Sequence, residues 1–99
     1  MNFKEISGRD LENNLDSYII YDVRSEEEYK DGHINRSINI PYDEVAANID
    51  KFKNLDKPIV LYCRTNNRSF YAASILQGAG FDDITIAPGV AYYDYKLTK

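Results

Sequence analysis

Apolar residues in this chain gather in short continuous runs separated by polar, turn-forming stretches. Residues 18–23 read Tyr-Ile-Ile-Tyr-Asp-Val, β-branched and aromatic almost throughout. Runs of that kind belong to strands covered on both faces, as in a parallel sheet. Ile59-Val60-Leu61-Tyr62, opened by Pro58, is a second such run, and Ile84-Thr85-Ile86, entered from Asp82-Asp83, is a third. Residues 37–40 predict a shorter strand stopped by Pro41. Phe3 and Ile6 predict an edge strand within residues 1–7, broken by Gly8.

Between these runs the spacing turns helical. Asp10 predicts the cap of a short helix through Leu11 and Leu15, which share a face. Ser25 followed three residues later by Glu28 is a capping-box pattern, and Asp31-Gly32 closes the helix it opens. Asp43 predicts the cap of a helix with Val45, Ala46, Ile49 and Phe52 on its apolar face. Lys51, Lys53 and Lys57 near its end suit the helix dipole. Phe70, Ala73, Ile75 and Leu76 predict another helix, stopped at Gly78-Ala79-Gly80. Ala87-Pro88-Gly89 predicts a turn, with Pro second and Gly third. Residues 90–97 predict a final helix carrying Tyr92, Tyr93 and Tyr95, read as packing residues.

Strand and helix therefore alternate, which predicts an α/β fold with a mainly parallel sheet of about five strands and helices on both faces. The length of 99 residues predicts a single domain, residues 1–99, without repeats or linkers. A net charge of −4 argues against sequence-independent binding of nucleic acid, which needs a basic face. No apolar run approaches the roughly 20 residues of a membrane span, and residues 1–5 lack the apolar core of a signal peptide. One cysteine makes no internal disulfide. These features together predict a reducing cytoplasm. One Cys and one His are too few soft ligands for a metal site, and no cofactor is expected. Glu26-Glu27-Glu28 reads as solvated charge favoured at a helix start.

The candidate chemistry lies in Cys63-Arg64-Thr65-Asn66-Asn67-Arg68-Ser69. In open parallel sheets, sites form at the carboxyl ends of strands, and Cys63 is expected at such an end. The loop after it feeds a helix N-terminus, where free N–H groups and the dipole favour an anion. Arg64 and Arg68 add two cations. Each influence favours thiolate over thiol, so the Cys63 pKa is expected below that of a free cysteine. The flanking residues are too polar for an inert core cysteine. Asn66 and Asn67 fit a tight loop, either as turn formers or as ligand contacts. Thr65 and Ser69 offer hydroxyls to an anion, and Ser69 equally offers a helix cap.

Tyr21-Asp22-Val23-Arg24, Glu28-Tyr29-Lys30-Asp31-Gly32-His33-Ile34, Ile38-Asn39-Ile40-Pro41, the cysteine loop and residues 72–81 stand in an order and spacing that resemble a single-domain rhodanese, a thiosulfate:cyanide sulfurtransferase. The resemblance implies an active-site loop over residues 63–68 and Cys63 as nucleophile and persulfide carrier. It implies that Arg64, Thr65, Asn66, Asn67, Arg68 and Ser69 bind a small anionic sulfur donor such as thiosulfate. The acceptor would be cyanide, a thiol or a protein. Asp22 and Arg24 would brace the site, with Asp22 bonding loop groups and Arg24 pairing with Glu28 or another carboxylate. His33 reads as packing plus a hydrogen bond. The chain departs from many relatives at Asn66, where Gly is common, at Arg36-Ser37, and at Pro88-Gly89-Val90 with Tyr92-Tyr93.

Two other function classes stay open at this point. A Cys-based phosphatase or arsenate reductase also sets Cys and Arg around an oxyanion, in a loop usually one residue longer. A non-catalytic interaction or sulfur-sensing module is the other; inactive relatives commonly lack the Cys that this chain keeps.

Overall fold

The computed structural model describes residues 3–53 and 56–99. Five parallel strands form one sheet in the order β1 (Lys4–Glu5), β6 (Ile84–Ile86), β5 (Ile59–Tyr62), β2 (Ile19–Asp22), β4 (Ile38–Asn39). The central pair is in register from Ile19 opposite Ile59 to Asp22 opposite Tyr62. All four residues of β5 are buried. The continuous apolar runs of β2, β5 and β6 are what a sheet covered on both faces requires. Met1 and Asn2, within the segment expected to form the edge strand, lie outside the described residues.

The core is split by the sheet into two clusters. Tyr21, Val45, Phe52, Leu61, Ala73 and Leu76 lie in one, beneath helix α3 (Asn67–Gly78). Leu11, Ile20, Ile34, Val60, Tyr62 and Tyr95 lie in the other. Burying each large apolar side chain contributes roughly 1.5–3 kcal/mol before the entropy of ordering it.

Helix α1 (Gly8–Glu12) is capped by Ser7, whose hydroxyl accepts the Asp10 N–H at 3.0 Å. Asp10 is thus not the cap, and Leu15 begins a separate 3₁₀ turn, Leu15–Ser17. Helix α2 (Glu26–Asp31) has the expected capping box: Ser25 Oγ accepts from Glu28 N, and Glu28 accepts from Ser25 N. Its end is Gly32 at φ 155°, a conformation that favours glycine. His33 stacks on Tyr29 with ring centroids 3.8 Å apart, and its Nδ1 meets the Tyr29 carbonyl at 2.8 Å.

Two expected helices are absent. Residues 42–52 form 3₁₀ turns, Tyr42–Glu44 and Ala46–Phe52, with a kink at Asn48 and no side-chain cap from Asp43. Val45 and Phe52 are buried and Ile49 is half-buried, but Ala46 is exposed, so the spacing marked part of the buried face and not the pitch. The chain after Gly89 is not a helix. It turns at once, with Tyr92 N–H on the Gly89 carbonyl at 2.9 Å, so the turn follows Ala87-Pro88-Gly89 rather than being made by it. The chain then runs to β7 (Leu97–Thr98), which pairs antiparallel with β3 (His33–Ile34). Tertiary pairing there overrides local propensity. Among the described residues, no helix is long and apolar enough to cross a membrane.

Candidate active site

Strand β5 ends at Tyr62, and Cys63 follows at the carboxyl edge of the sheet, fully buried. The chain then loops through residues 64–66 into α3. The turn is made at Asn66, whose φ of 72° places it in the left-handed region that Asn tolerates better than most residues. That conformation aims the first turn of α3 back at the cysteine. The Ser69 N–H donates to Cys63 Sγ at 3.4 Å, and Ser69 Oγ lies 3.5 Å from the same sulfur. The Ser69 hydroxyl donates to the Asn66 carbonyl at 3.0 Å. Ser69 therefore faces the sulfur from inside the helix and does not cap it; the N-cap is Asn66, whose side chain makes no bond to the helix's first N–H groups.

A second segment straps the loop from outside. Val90 N–H donates to the Cys63 carbonyl and Ala91 N–H to the Arg64 carbonyl, each at 3.0 Å. Gly89 N–H donates to Asn66 Oδ1 at 2.7 Å. The Asn66 carboxamide oxygen, expected on the donor, is thus engaged in holding the loop. Gly89 passes so close that a Cβ there would overlap the Arg64 carbonyl group. The Pro-Gly pair was visible in the sequence as a turn signal, but its role against the loop was not.

The two loop arginines differ. Arg68 makes a two-pronged pair with Glu28, Nη1 to Oε1 at 2.7 Å and Nη2 to Oε2 at 3.0 Å. The Arg68 bond, opposed by burial and helped by Ser25, lowers the Glu28 carboxyl to about 2. Arg68 is in turn raised, first by its bond to Glu28. Arg64 is exposed. With the described residues, its side chain and those of Thr65 and Asn67 make no hydrogen bond or ion pair. Arg64, Thr65 and Asn67 are thus the loop side chains left for a ligand.

Asp22 ends β2 and Arg24 follows it; Arg24 pairs with a carboxylate, as expected, whereas Asp22 does not bond the loop. Arg24 pairs with Asp22, Nη2 to Oδ2 at 2.7 Å, and not with Glu28. It also donates to the Gly32 carbonyl at 2.6 Å. Asp22 reaches no group in residues 63–69; its Oδ2 accepts the Tyr62 hydroxyl at 2.7 Å. Tyr62 accepts the Ile34 N–H at 3.0 Å, so one buried phenol links β5 to β3 just before the cysteine. Burial, followed by the Asp22 carboxylate, pushes the Tyr62 pKa well above its ordinary value. Nothing in the sequence singled out Tyr62 within its strand. Among the described residues, no group of three or more His, Cys, Asp or Glu is placed to hold a metal.

Known proteins resemble this chain in sequence and in fold. The family model described as "Rhodanese-like domain" matches residues 7–90. A rhodanese domain-containing protein of Drosophila melanogaster, CG4456, is 37% identical over 93 residues, covering 82% of this chain and 84% of its own. The thiosulfate sulfurtransferase GlpE of Pseudomonas savastanoi is 35% identical over 71 residues, covering 72% of this chain and 66% of its own. A probable molybdopterin-synthase adenylyltransferase of Porphyra purpurea is 34% identical over 83% of this chain, which spans only 22% of that protein. The crystal structure of a rhodanese-related protein from Thermoplasma volcanium superposes with a TM-score of 0.81 at 30% identity, over 97% of this chain and 98% of its own. With a matching model over most of its length, a relative above 30% identity matched over most of both chains, and the same fold, this chain belongs to the rhodanese-like domain family.

Proposed function

We propose that this chain is a sulfurtransferase that carries sulfane sulfur as a persulfide on Cys63. The observation that carries the reading is the Cys63 sulfur at the N-terminus of α3 with the Ser69 N–H upon it. A helix N-terminus and an amide donor favour negative charge on that atom. A thiolate held there needs no general base, and sulfite is a good enough leaving group to need no general acid. With thiosulfate the step is Cys63–S⁻ + S–SO₃²⁻ → Cys63–S–S⁻ + SO₃²⁻. The thiolate lone pair makes the new S–S bond, and the donor's S–S pair leaves on sulfite. Cyanide or a thiol then takes the outer sulfur, restoring Cys63. A reducing cytoplasm suits this cycle, because the resting cysteine must stay reduced.

In this reading Arg64, Thr65 and Asn67 contact the donor. Ser69 and the loop amides hold the charge on sulfur. Asn66 and Arg68 keep the loop in shape, and Asp22 with Arg24 braces the strand ends behind it. Four residues separate Cys63 from Arg68. That loop is smaller than a phosphatase needs around a tetrahedral oxyanion, which favours sulfur over phosphate chemistry. The test supplies a sulfane donor with cyanide, and an aryl phosphate separately. Thiocyanate without phosphate release is expected; phosphate release without thiocyanate would overturn the proposal.

The free Arg64 also sets how donors are chosen. Arg64→Ala should lower kcat/KM for thiosulfate about tenfold, while a persulfide with a neutral carrier group changes little. Arg68→Ala leaves Glu28 unpaired beside the loop and should weaken both donors. Equal losses for the two donors in Arg64→Ala would contradict the assignment of Arg64 to anion binding.

A further inference from the structure

The charge around Cys63 is more nearly balanced than two loop arginines imply. Arg24 is cancelled by Asp22 at 2.7 Å, and both are buried. Arg68 is cancelled by the two-pronged contact with Glu28. Arg64 is left as the one loop cation without an acidic partner among the described residues. The chain as a whole carries −4, so the wider field does not replace the lost positive charge.

We infer that Glu28, by neutralising Arg68, is a specificity-determining residue that turns the site away from dianionic thiosulfate and toward low-charge organic persulfides. The inference rests on the sulfurtransferase reading. It follows from the charge each donor brings. With thiosulfate, the reacting groups carry three negative charges and meet one unpaired cation. With an organic persulfide, ionised like the product on Cys63, the step is Cys63–S⁻ + R–S–S⁻ → Cys63–S–S⁻ + R–S⁻. The Cys63 lone pair forms the new bond, and the donor's S–S pair leaves on the carrier thiolate. Two negative charges are carried throughout, one fewer than with thiosulfate, so a single unpaired cation leaves less charge unmet. Glu28 touches neither donor nor sulfur; it acts through Arg68.

Glu28→Gln isolates this effect, because Gln also serves in a capping box with Ser25 and the fold at α2 is kept. Rates of sulfur transfer to cyanide would be measured with thiosulfate and with the persulfide of 2-mercaptoethanol, whose carrier is neutral. The ratio of kcat/KM for thiosulfate to that for the persulfide should rise on the order of tenfold as Arg68 becomes a free cation. A residue with a merely structural role would lower both rates together, and an unchanged ratio overturns the inference. Salt supplies a second reading on the unaltered protein, should the variant fold poorly. A nearly balanced site predicts that thiosulfate kcat/KM falls no more than about twofold from low to physiological ionic strength. A fall of about tenfold would mean two free cations and overturn the inference. Transfer from neither donor would instead overturn the sulfurtransferase reading itself.

Discussion

Asp22→Ala is expected to destabilise the domain by about 3–5 kcal/mol, the range for removing one partner of a buried ion pair. Asp22 is fully buried and Arg24 is 5% exposed. The carboxylate accepts the Arg24 backbone N–H at 2.9 Å, its Nε at 3.0 Å and its Nη2 at 2.7 Å, besides the Tyr62 hydroxyl. Alanine would leave a guanidinium uncompensated in the interior and a buried phenol without its acceptor. A small domain has roughly 5–15 kcal/mol in all, so the loss is a large share of it. Urea unfolding monitored by circular dichroism gives the value. Arg24→Met on top of Asp22→Ala should recover part of the loss, since a pair replaced by apolar groups is cheaper than a pair broken. A loss below about 1 kcal/mol for Asp22→Ala would mean that the pair is not what holds β2 and β5 beneath the loop.

Gly89→Ala is expected to cut sulfur transfer about a hundredfold, the scale of an ångström-sized misplacement at a reacting centre. A Cβ at this position would overlap the Arg64 carbonyl and come within 2.9 Å of the Thr65 nitrogen. The obstacle is backbone, which cannot swing aside as a side chain can. Relief requires the strap to lift off the loop. The bonds from Val90 and Ala91 to the carbonyls of Cys63 and Arg64 lengthen, and Asn66 loses the Gly89 N–H. Asn66 would then hold its left-handed conformation with less support. Stability should fall by about 1–3 kcal/mol, as in other overpacked sites. Gly8→Ala makes a useful contrast. There the added carbon meets the Tyr93 ring, a side chain, and no backbone of the cysteine loop, so stability should suffer and donor kinetics much less. Full transfer activity in Gly89→Ala would show that the strap does not set the geometry of the loop.

Much of the sheet was legible because its signals are local. The runs at residues 18–23, 59–62 and 84–86 are continuous and apolar, and each became a buried strand. The Ser25 and Glu28 pattern is a contact across three residues, and it formed as read. Misreadings came where distant partners decided. Residues 90–97 carry tyrosines at spacings that suit a helix, yet Tyr95 is buried with its hydroxyl on the Pro88 carbonyl at 2.6 Å. Leu97 and Thr98 pair with Ile34 and His33, far back in the chain. The kink at Asn48 likewise has no periodic signature. At the site, the polar loop around a single cysteine was legible from residue types alone, and Cys63 and Ser69 do come together. The partner of Arg68 was not, because Glu28 stands forty positions away and doubles as a capping residue. The same separation concealed the bond between Tyr62 and Asp22.

The central claim is that Cys63 receives and holds one sulfur atom. Intact-mass spectrometry of the protein after exposure to a sulfane donor, beside Cys63→Ser, tests it most directly. The account predicts a gain of one sulfur on the unaltered chain and none on the variant, with the added sulfur removed by cyanide as thiocyanate appears. Serine keeps the size and the neighbours of the site but lacks the thiolate, so it separates chemistry from binding. No gain from thiosulfate or from an organic persulfide, with Cys63 still reactive toward an alkylating reagent, would contradict the account.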